Sequence, residues 1–101
     1  MRRFMKGDEG LAGVALERII GSPDIYPKEH RGENASVNFF NCHDGFTLYD
    51  MYAYNEKHNE KNGWNNTDGD NNGRSWNCGE EGPTRKKAVN ELRKKQVRNA
   101  F

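Results

Sequence analysis

The chain has 101 residues, of which 33% are hydrophobic and 31% charged, and its mean hydropathy is −1.17. So short and polar a chain has room for one small domain at most, with too little aliphatic material for a strong core of its own. Its two Trp, four Tyr and five Phe are more than disordered segments usually carry. The composition therefore leaves two interpretations, a loosely ordered chain or a piece of a larger domain, and speaks against plain disorder.

The net charge of +1 gives no reason to expect a polyanion partner for the whole chain, but the charge is unevenly distributed. Residues 84–101 carry about +6 and the remainder about −5. A basic helix could bind nucleic acid, yet its lysines fall on more than one face and no groove-reading motif or interleaved aromatic accompanies them. A solvated outer face is the favoured interpretation, and no nucleic-acid partner is predicted.

The two cysteines, Cys42 and Cys78, lie 36 residues apart and form no cluster with histidine. A zinc site is therefore not predicted, and Cys42 is expected to be a small buried hydrophobe. The sequence has no apolar stretch of membrane length and no signal-peptide core. A cytoplasmic protein without a membrane partner is the resulting expectation.

Residues 1–35 are predicted to form helix and loop. Residues 2–5 resemble the end of a helix stopped by Gly7, and apolar residues at helical spacing predict a helix over Leu11–Ile20. Gly21-Ser22-Pro23 ends that helix, and a charged surface loop is expected through Asn34.

Residues 36–54 change abruptly from a strand pattern to a helix pattern. The nearly continuous apolar run at about Val37–Cys42 predicts a short buried strand. Asp44-Gly45 breaks the run, and Phe46–Tyr54 is expected to be a short helix. Thr47 and Asp50 are spaced like a capping box with Asp in place of Glu.

Residues 55–83 form a long loop rich in Asn, Gly and Asp, and residues 84–101 a closing helix. Trp64 and Trp76 are expected to anchor the loop in part, and loops of this length are usually functional. Pro83 opens the helix, whose narrow apolar stripe runs to Phe101 without a stop signal. The chain is thus expected to begin and end inside a larger structure.

His43 and Asp44 are the first candidate site, because they follow directly on the predicted strand. At the carboxyl end of a buried strand, side chains point toward the position where parallel architectures bind ligands. A carboxylate there can take a proton, hold a metal or grip a hydroxyl, and the histidine can donate to a substrate oxygen. The simpler alternative is that Asp44 belongs to a turn or caps the following helix.

Asp68-Gly-Asp70-Asn-Asn72-Gly73 is the second candidate, since it matches the first half of a calcium-binding loop. The match fails at position twelve, where Gly79 stands in place of the bidentate Glu, and the flanking helices are missing. An Asn/Gly-rich turn is therefore favoured, and no metal is predicted.

Amides and aromatic rings are concentrated in residues 38–78. Rings stack on pyranose faces, and amides and carboxylates can pair with hydroxyls as donors and acceptors. This compositional signal is weak alone, but it agrees with a sugar-binding role for His43 and Asp44.

Three stretches together carry a family resemblance: VNFFNCHDGFTLYDMYAYNEKHNEKNG, SWNCGEEGPT, and the basic helix ending in RKKQVRNAF. With the lead-in RRFMKGDEGLAGVALERIIGSPDIY, they resemble the glycogen-debranching enzymes of the glycogen-operon and isoamylase type, within the α-amylase glycoside hydrolase family. The resemblance covers nearly the whole chain in order.

The resemblance implies an α/β fold, with this chain as a partial (β/α)8 TIM-barrel segment around strand 7. In isolation such a segment is expected to be mostly helical, with one short strand and the long loop. The unpaired strand could support self-association. Residues 55–83 match a subgroup insertion near the cleft, where they would help to select α-1,6 branch points.

The resemblance further implies that Asp44 is the third catalytic carboxylate, a transition-state stabiliser, and that His43 binds the sugar. The reaction would be hydrolysis of α-1,6-glucosidic branch points of glycogen or limit dextrin with retention, without a cofactor. The family's nucleophile and general acid lie on strands four and five, outside this chain, so the isolated chain is expected to be inactive. The alternative is a non-catalytic carbohydrate- or calcium-binding module.

Overall fold

The computed structural model of the protein describes residues 1–27, 29 and 36–101. These residues divide into two units, Met1–Phe40 and Asn41–Phe101. Within the described ranges the regular elements are helices and 3₁₀ turns, joined by long irregular segments, and no β-strand is formed. In the same ranges no helix is both long and apolar enough to cross a bilayer. The expectation of a mostly helical and loop-rich chain is therefore confirmed.

The first unit contains helices α1 (Arg2–Met5) and α2 (Ala12–Ile19). A helical end before Gly7 is confirmed, and this glycine has φ +93°, a value that favours residues without a Cβ. The predicted helix Leu11–Ile20 is confirmed with one residue less at each end. The predicted charged loop through Asn34 lies largely outside the described residues.

Helix α2 buries only a small part of its apolar surface. Ala15 is buried, whereas Val14, Leu16, Ile19 and Ile20 are all between 46% and 62% exposed. A chain in water gains stability by burying such groups, so this face contributes little to the stability of the unit as described.

The strand predicted at about Val37–Cys42 is not formed, and this correction has a physical cause. A strand needs a neighbouring backbone to pair its N–H and C=O groups, and the described chain offers none here. Side chains bond to this segment instead: Arg2 Nε donates to the Phe40 carbonyl at 2.6 Å, and Asn38 Nδ2 donates to the Arg18 carbonyl at 2.7 Å.

The burial predicted for this segment is also absent. Val37 is 85% exposed, and Cys42, which was expected to be a buried hydrophobe, is exposed. The predicted self-association relied on a strand edge at these residues and stays an untested prediction.

The helix predicted over Phe46–Tyr54 shortens to a 3₁₀ turn at Asp50–Tyr52. The capping pair is present: the Asp50 backbone N–H donates to Thr47 Oγ1 at 3.1 Å, and the Thr47 hydroxyl donates to Asp50 Oδ2 at 2.8 Å. A second 3₁₀ turn, Glu60–Asn62, lies within the long loop. The prediction of a helix over Phe46–Tyr54 is therefore wrong in both length and starting residue, although the hydrogen bonding of Thr47 with Asp50 is confirmed.

Helix α3 covers Lys87–Asn99, so it begins later than the predicted start at residue 84. Thr84 accounts for the difference, because its Oγ1 accepts from the Lys86 N–H at 3.1 Å and its carbonyl accepts from Asn90 Nδ2 at 2.9 Å. These bonds satisfy groups at the helix start that have no partner inside the helix.

The centre of the second unit is formed by Met51, Tyr52, Ala53 and Cys78, each no more than 4% exposed. The returning chain is joined to it by backbone bonds, from the Trp76 N–H to the Met51 carbonyl at 2.9 Å and from the Gly82 N–H to the Ala53 carbonyl at 2.7 Å. Burial raises the pKa of the Cys78 thiol and that of the Tyr52 hydroxyl.

Arg93 of α3 is 2% exposed and is the largest fully buried side chain in the described residues. Its Nη1 donates to the Gly82 carbonyl at 2.8 Å, and its Nη2 donates to the Asn77 carbonyl at 3.1 Å, to the Ala53 carbonyl at 3.4 Å and to the Glu80 carbonyl. One guanidinium thus joins α3, the first 3₁₀ turn and the end of the loop. Arg93 is therefore not part of the solvated outer face that was predicted for the lysines of this helix.

Replacing Arg93 by Met should destabilise the second unit by about 3 kcal/mol, because several buried carbonyls lose their donor together. Lys95→Met, on an exposed position of the same helix, should change stability by less than about 0.5 kcal/mol. Urea unfolding of both variants of the 101-residue chain measures the difference. Equal unfolding midpoints would contradict the central role of Arg93.

Candidate functional site

The tight turn that carries His43 and Asp44 follows directly on residues 36–42. Asn41 closes it, since its Nδ2 donates to the Phe46 carbonyl at 2.7 Å. His43 Nε2 lies 3.1 Å from Asp44 Oδ1, and the two side chains are 91% and 72% exposed. The predicted pair is therefore in contact and open to solvent.

Asp44 lines a cleft of about 190 Å³. The long loop also lines this cleft, through Lys57, Asn59 and Asp70. The remaining lining residues are Gly45, Phe46, Thr47, Asp50, Gly69 and Gly73. His43 does not line this cleft, although it contacts Asp44.

An aromatic row forms one side of this region. The rings of Phe46 and Tyr54 stack with centroids 6.3 Å apart and an interplanar angle of 12°, and His58 lies 5.3 Å from Tyr54. Gly73 packs against Phe46 so closely that a Cβ would lie 3.3 Å from the ring. A side chain at this position would therefore push on the ring and change the shape of the cleft.

Glu81 holds the start of the long loop to its end. Its carboxylate accepts from the Asn55 N–H at 2.8 Å, from the Glu56 N–H at 3.3 Å, from Asn77 Nδ2 at 3.0 Å, and contacts His58 Nε2 at 3.0 Å. Burial alone would raise the pKa of Glu81, but these hydrogen bonds outweigh it and lower the pKa to about 2.

A second set of side-chain bonds shapes the middle of the loop. Asn66 accepts from the Asn59 N–H at 2.9 Å and donates to the Lys57 carbonyl at 3.0 Å. Lys57 Nζ donates to the Asp68 carbonyl at 2.8 Å. The loop wall of the cleft is thus fixed by amide and ammonium groups rather than by a hydrophobic core.

The two loop tryptophans behave differently. Trp76 is half-buried beside the unit's core, whereas Trp64 is 69% exposed. The expectation that the loop is anchored in part agrees with the position of Trp76, whereas Trp64 stays exposed to solvent.

The calcium-like stretch is arranged as a turn. Asp70 Oδ1 accepts from the Asn72 N–H at 2.8 Å, and Asp68 Oδ2 accepts from Asn62 Nδ2 at 2.8 Å. The Lys57 ammonium donates a hydrogen bond to the Asp68 carbonyl. Its positive charge would repel a calcium ion bound in this stretch. Across the described ranges, no three His, Cys, Asp or Glu side chains are grouped so that they could hold a metal ion.

Among the loop residues that line the cleft, Asp70 belongs to the calcium-like stretch considered from the sequence, and Asn59 is one of the amides of residues 38–78. Lys57 and the buried Arg93 were not among the predicted candidates. Lys57 stands in a polar stretch with no periodicity, so local pattern gives no signal for it. Arg93 does carry one, because it lies four residues after Val89 and four before Val97, on the apolar stripe of α3.

An open cleft that combines carboxylates, an amide, an ammonium group and the ring of Phe46 is typical of sites that bind sugars. No protein-family model matches the chain. Its whole length is, however, 48% identical to a segment of the glycogen operon protein GlgX homolog of Mycobacterium tuberculosis (strain ATCC 25618 / H37Rv). It is equally 48% identical to a segment of the chloroplastic isoamylase SU1 of Zea mays, and 43% identical over 97 residues to the GlgX homolog of Haemophilus influenzae.

The chain is therefore homologous, along its full length, to one segment of the GlgX and isoamylase proteins. It spans about 14% of the length of the mycobacterial relative and 13% of that of the maize relative. The family resemblance stated from the sequence is confirmed.

The low pKa of Glu81 predicts an acid-dependent loss of stability. The folded-state pKa of Glu81, about 2, lies below the ordinary value of 4.5. Its contribution to the free energy of unfolding is therefore complete above about pH 5 and is lost as the pH falls toward 2. Thermal unfolding of the 101-residue chain should show this decline, and Glu81→Gln should flatten it.

Glu60→Gln, an exposed position on the same loop, should keep the decline of the unsubstituted chain. An unchanged pH profile in Glu81→Gln would show that the carboxylate does not hold the loop.

Proposed function

We propose that this chain is the strand-7 region of the catalytic barrel of a glycosidase that hydrolyses α-1,6 branch points of glycogen or limit dextrin. Homology along the whole chain to GlgX and isoamylase proteins supports this assignment. The exposed apolar face of α2 and the exposed side chains of Val37, Phe39 and Cys42 agree with a segment that packs against further parts of a barrel. On this proposal, residues 36–42 form strand 7 when the neighbouring strands supply pairing partners.

The single observation that carries the proposal is the placement of Asp44. Its carboxylate is open to solvent, contacts His43, and lines the polar cleft against the long loop. A carboxylate in such a position can accept hydrogen bonds from sugar hydroxyls. These bonds strengthen as the ring distorts toward an oxocarbenium-like transition state, so they lower the barrier rather than only tightening binding.

We assign His43 to substrate binding. Its ring nitrogen lies within 3.1 Å of Asp44 and its side chain is almost fully exposed, so it can reach a hydroxyl of the same sugar while orienting the carboxylate. The nucleophile and the general acid that retention requires would come from other parts of the longer protein. A cytoplasmic location and independence of metals and cofactors belong to the same proposal.

A non-catalytic carbohydrate-binding module is the second candidate, and the stacked Phe46 and Tyr54 beside the cleft favour it. Calorimetry of the 101-residue chain with maltooligosaccharides separates the two. Tight binding by the isolated chain would favour the module. The absence of tight binding, together with the activity loss described next, supports the barrel segment.

Asp44→Asn in the full-length enzyme that carries this segment should lower kcat by about a thousandfold or more, by analogy with the loss of other groups that stabilise the transition state. The fold should be retained, because the Asp44 side chain is 72% exposed and its ion pair is with the likewise exposed neighbour His43. Glu60→Gln serves as the control and should keep normal kcat. A near-normal kcat in Asp44→Asn would remove this carboxylate from the mechanism.

The isolated 101-residue chain should release no linear maltooligosaccharides from branched limit dextrin, because on this proposal it carries neither the nucleophile nor the general acid of the reaction. Product chromatography after prolonged incubation is the measurement. Steady release above a buffer control would show that the chain holds a complete site.

A further inference from the structure

Lys57 carries the positive charge among the described residues that line the Asp44 cleft. We propose that Lys57 determines specificity by binding a hydroxyl of the glucosyl unit next to the one held by Asp44. In this way the long loop sets which arm of a branched α-glucan enters the site. This inference rests on the proposed function and adds to it a residue and a role.

The position of Lys57 is fixed before any ligand arrives. Its backbone carbonyl accepts from Asn66 Nδ2 at 3.0 Å, and its Nζ donates to the Asp68 carbonyl at 2.8 Å. An ammonium group has three N–H donors, so the bond to Asp68 leaves further donors for a ligand. A donor that is already held in place loses less conformational entropy on binding than one that the ligand must first order.

The surroundings of Lys57 favour a sugar over an anionic ligand. Asp44, Asp50 and Asp70 line the same cleft as Lys57, and three carboxylates against one ammonium in one cleft disfavour phosphate or another anion. A neutral ligand rich in hydroxyls satisfies both kinds of group, because a hydroxyl donates to carboxylates and accepts from the ammonium. Lys57 would therefore donate a hydrogen bond to a sugar hydroxyl oxygen, while the carboxylates of the cleft accept hydrogen bonds from other hydroxyls.

The cleft also continues along the aromatic row. A neighbouring cleft of about 190 Å³ is lined by Phe46, Asp50, Tyr54, His58 and Asn59, and it shares Phe46, Asp50 and Asn59 with the Asp44 cleft. Aromatic rings beside polar groups offer stacking surface to pyranose faces. The glucan arm would thus run from Asp44 past Lys57 along this row.

The test uses the full-length enzyme that carries this segment, assayed on two branched dextrins that differ in the length of the branch arm. Lys57→Met should raise KM for the favoured substrate about tenfold, the loss of one charged hydrogen bond, while kcat stays within about twofold because uniform binding is lost. The preference between the two arm lengths should fall. Lys57→Arg, which restores a cation of similar reach, should recover most of that preference.

Lys61→Met, an exposed lysine of the same loop, is the matched control and should keep wild-type KM and arm preference. Thermal unfolding is measured in parallel. If Lys57→Met lowers only the unfolding temperature and leaves KM and preference unchanged, the residue merely holds the turn at Asp68 and the proposal is overturned.

Asp44→Asn measured in the same series separates the two levels of inference. A large fall in kcat with Asp44→Asn, together with unchanged KM in Lys57→Met, overturns the role of Lys57 alone. A normal kcat with Asp44→Asn overturns the proposed function and this inference with it.

Discussion

The second unit depends on one buried guanidinium. Arg93 brings five N–H donors into a space where backbone carbonyls from three separate stretches converge, and it bonds to carbonyls of Ala53, Asn77, Glu80 and Gly82. A buried charge is costly unless it is fully hydrogen-bonded, and the planar fork of arginine meets that condition where lysine would not. The helix therefore stabilises the unit mainly through a polar contact, which suits a chain with few aliphatic residues.

The sequence predicted the helices α1, α2 and α3 well apart from their ends, whereas it predicted a helix at Phe46–Tyr54 that is only a 3₁₀ turn and a strand that is not formed. Helical bonds close within a segment, so the spacing of apolar residues in α2 and the Gly7 and Gly21 stops were sufficient. A strand closes its bonds with another strand, and the apolar run at Val37–Cys42 has no such neighbour among the described residues. The pattern was therefore typical of a strand, but pattern alone does not supply the partner.

The candidate site was predicted in part for the same reason. His43 and Asp44 are adjacent in the chain, so their contact followed from local sequence. Lys57 reaches the cleft through a set of side-chain bonds among Asn66, Asp68 and their neighbours, and no local periodicity encodes such bonds. The position of Arg93 on the apolar stripe of α3 was a usable signal. A charged residue at the spacing of core residues faces the protein interior, where it must have hydrogen-bonding partners.

The long loop shows how a polar chain can build a defined wall. Its ends are joined by the Glu81 carboxylate and its middle by Asn66, while Gly73 allows the chain to pass close to Phe46. A hydrophobic core could not hold the loop in this way, because the cleft beside it is open to water and, on the proposed function, to hydroxyl-rich ligands. Side-chain amides and carboxylates can, because each satisfies backbone groups that a loop leaves unpaired. On the proposed function, the abundance of Asn in this stretch therefore has two physical reasons. The same residue type that holds the loop in shape also leaves its surface able to bind sugar hydroxyls.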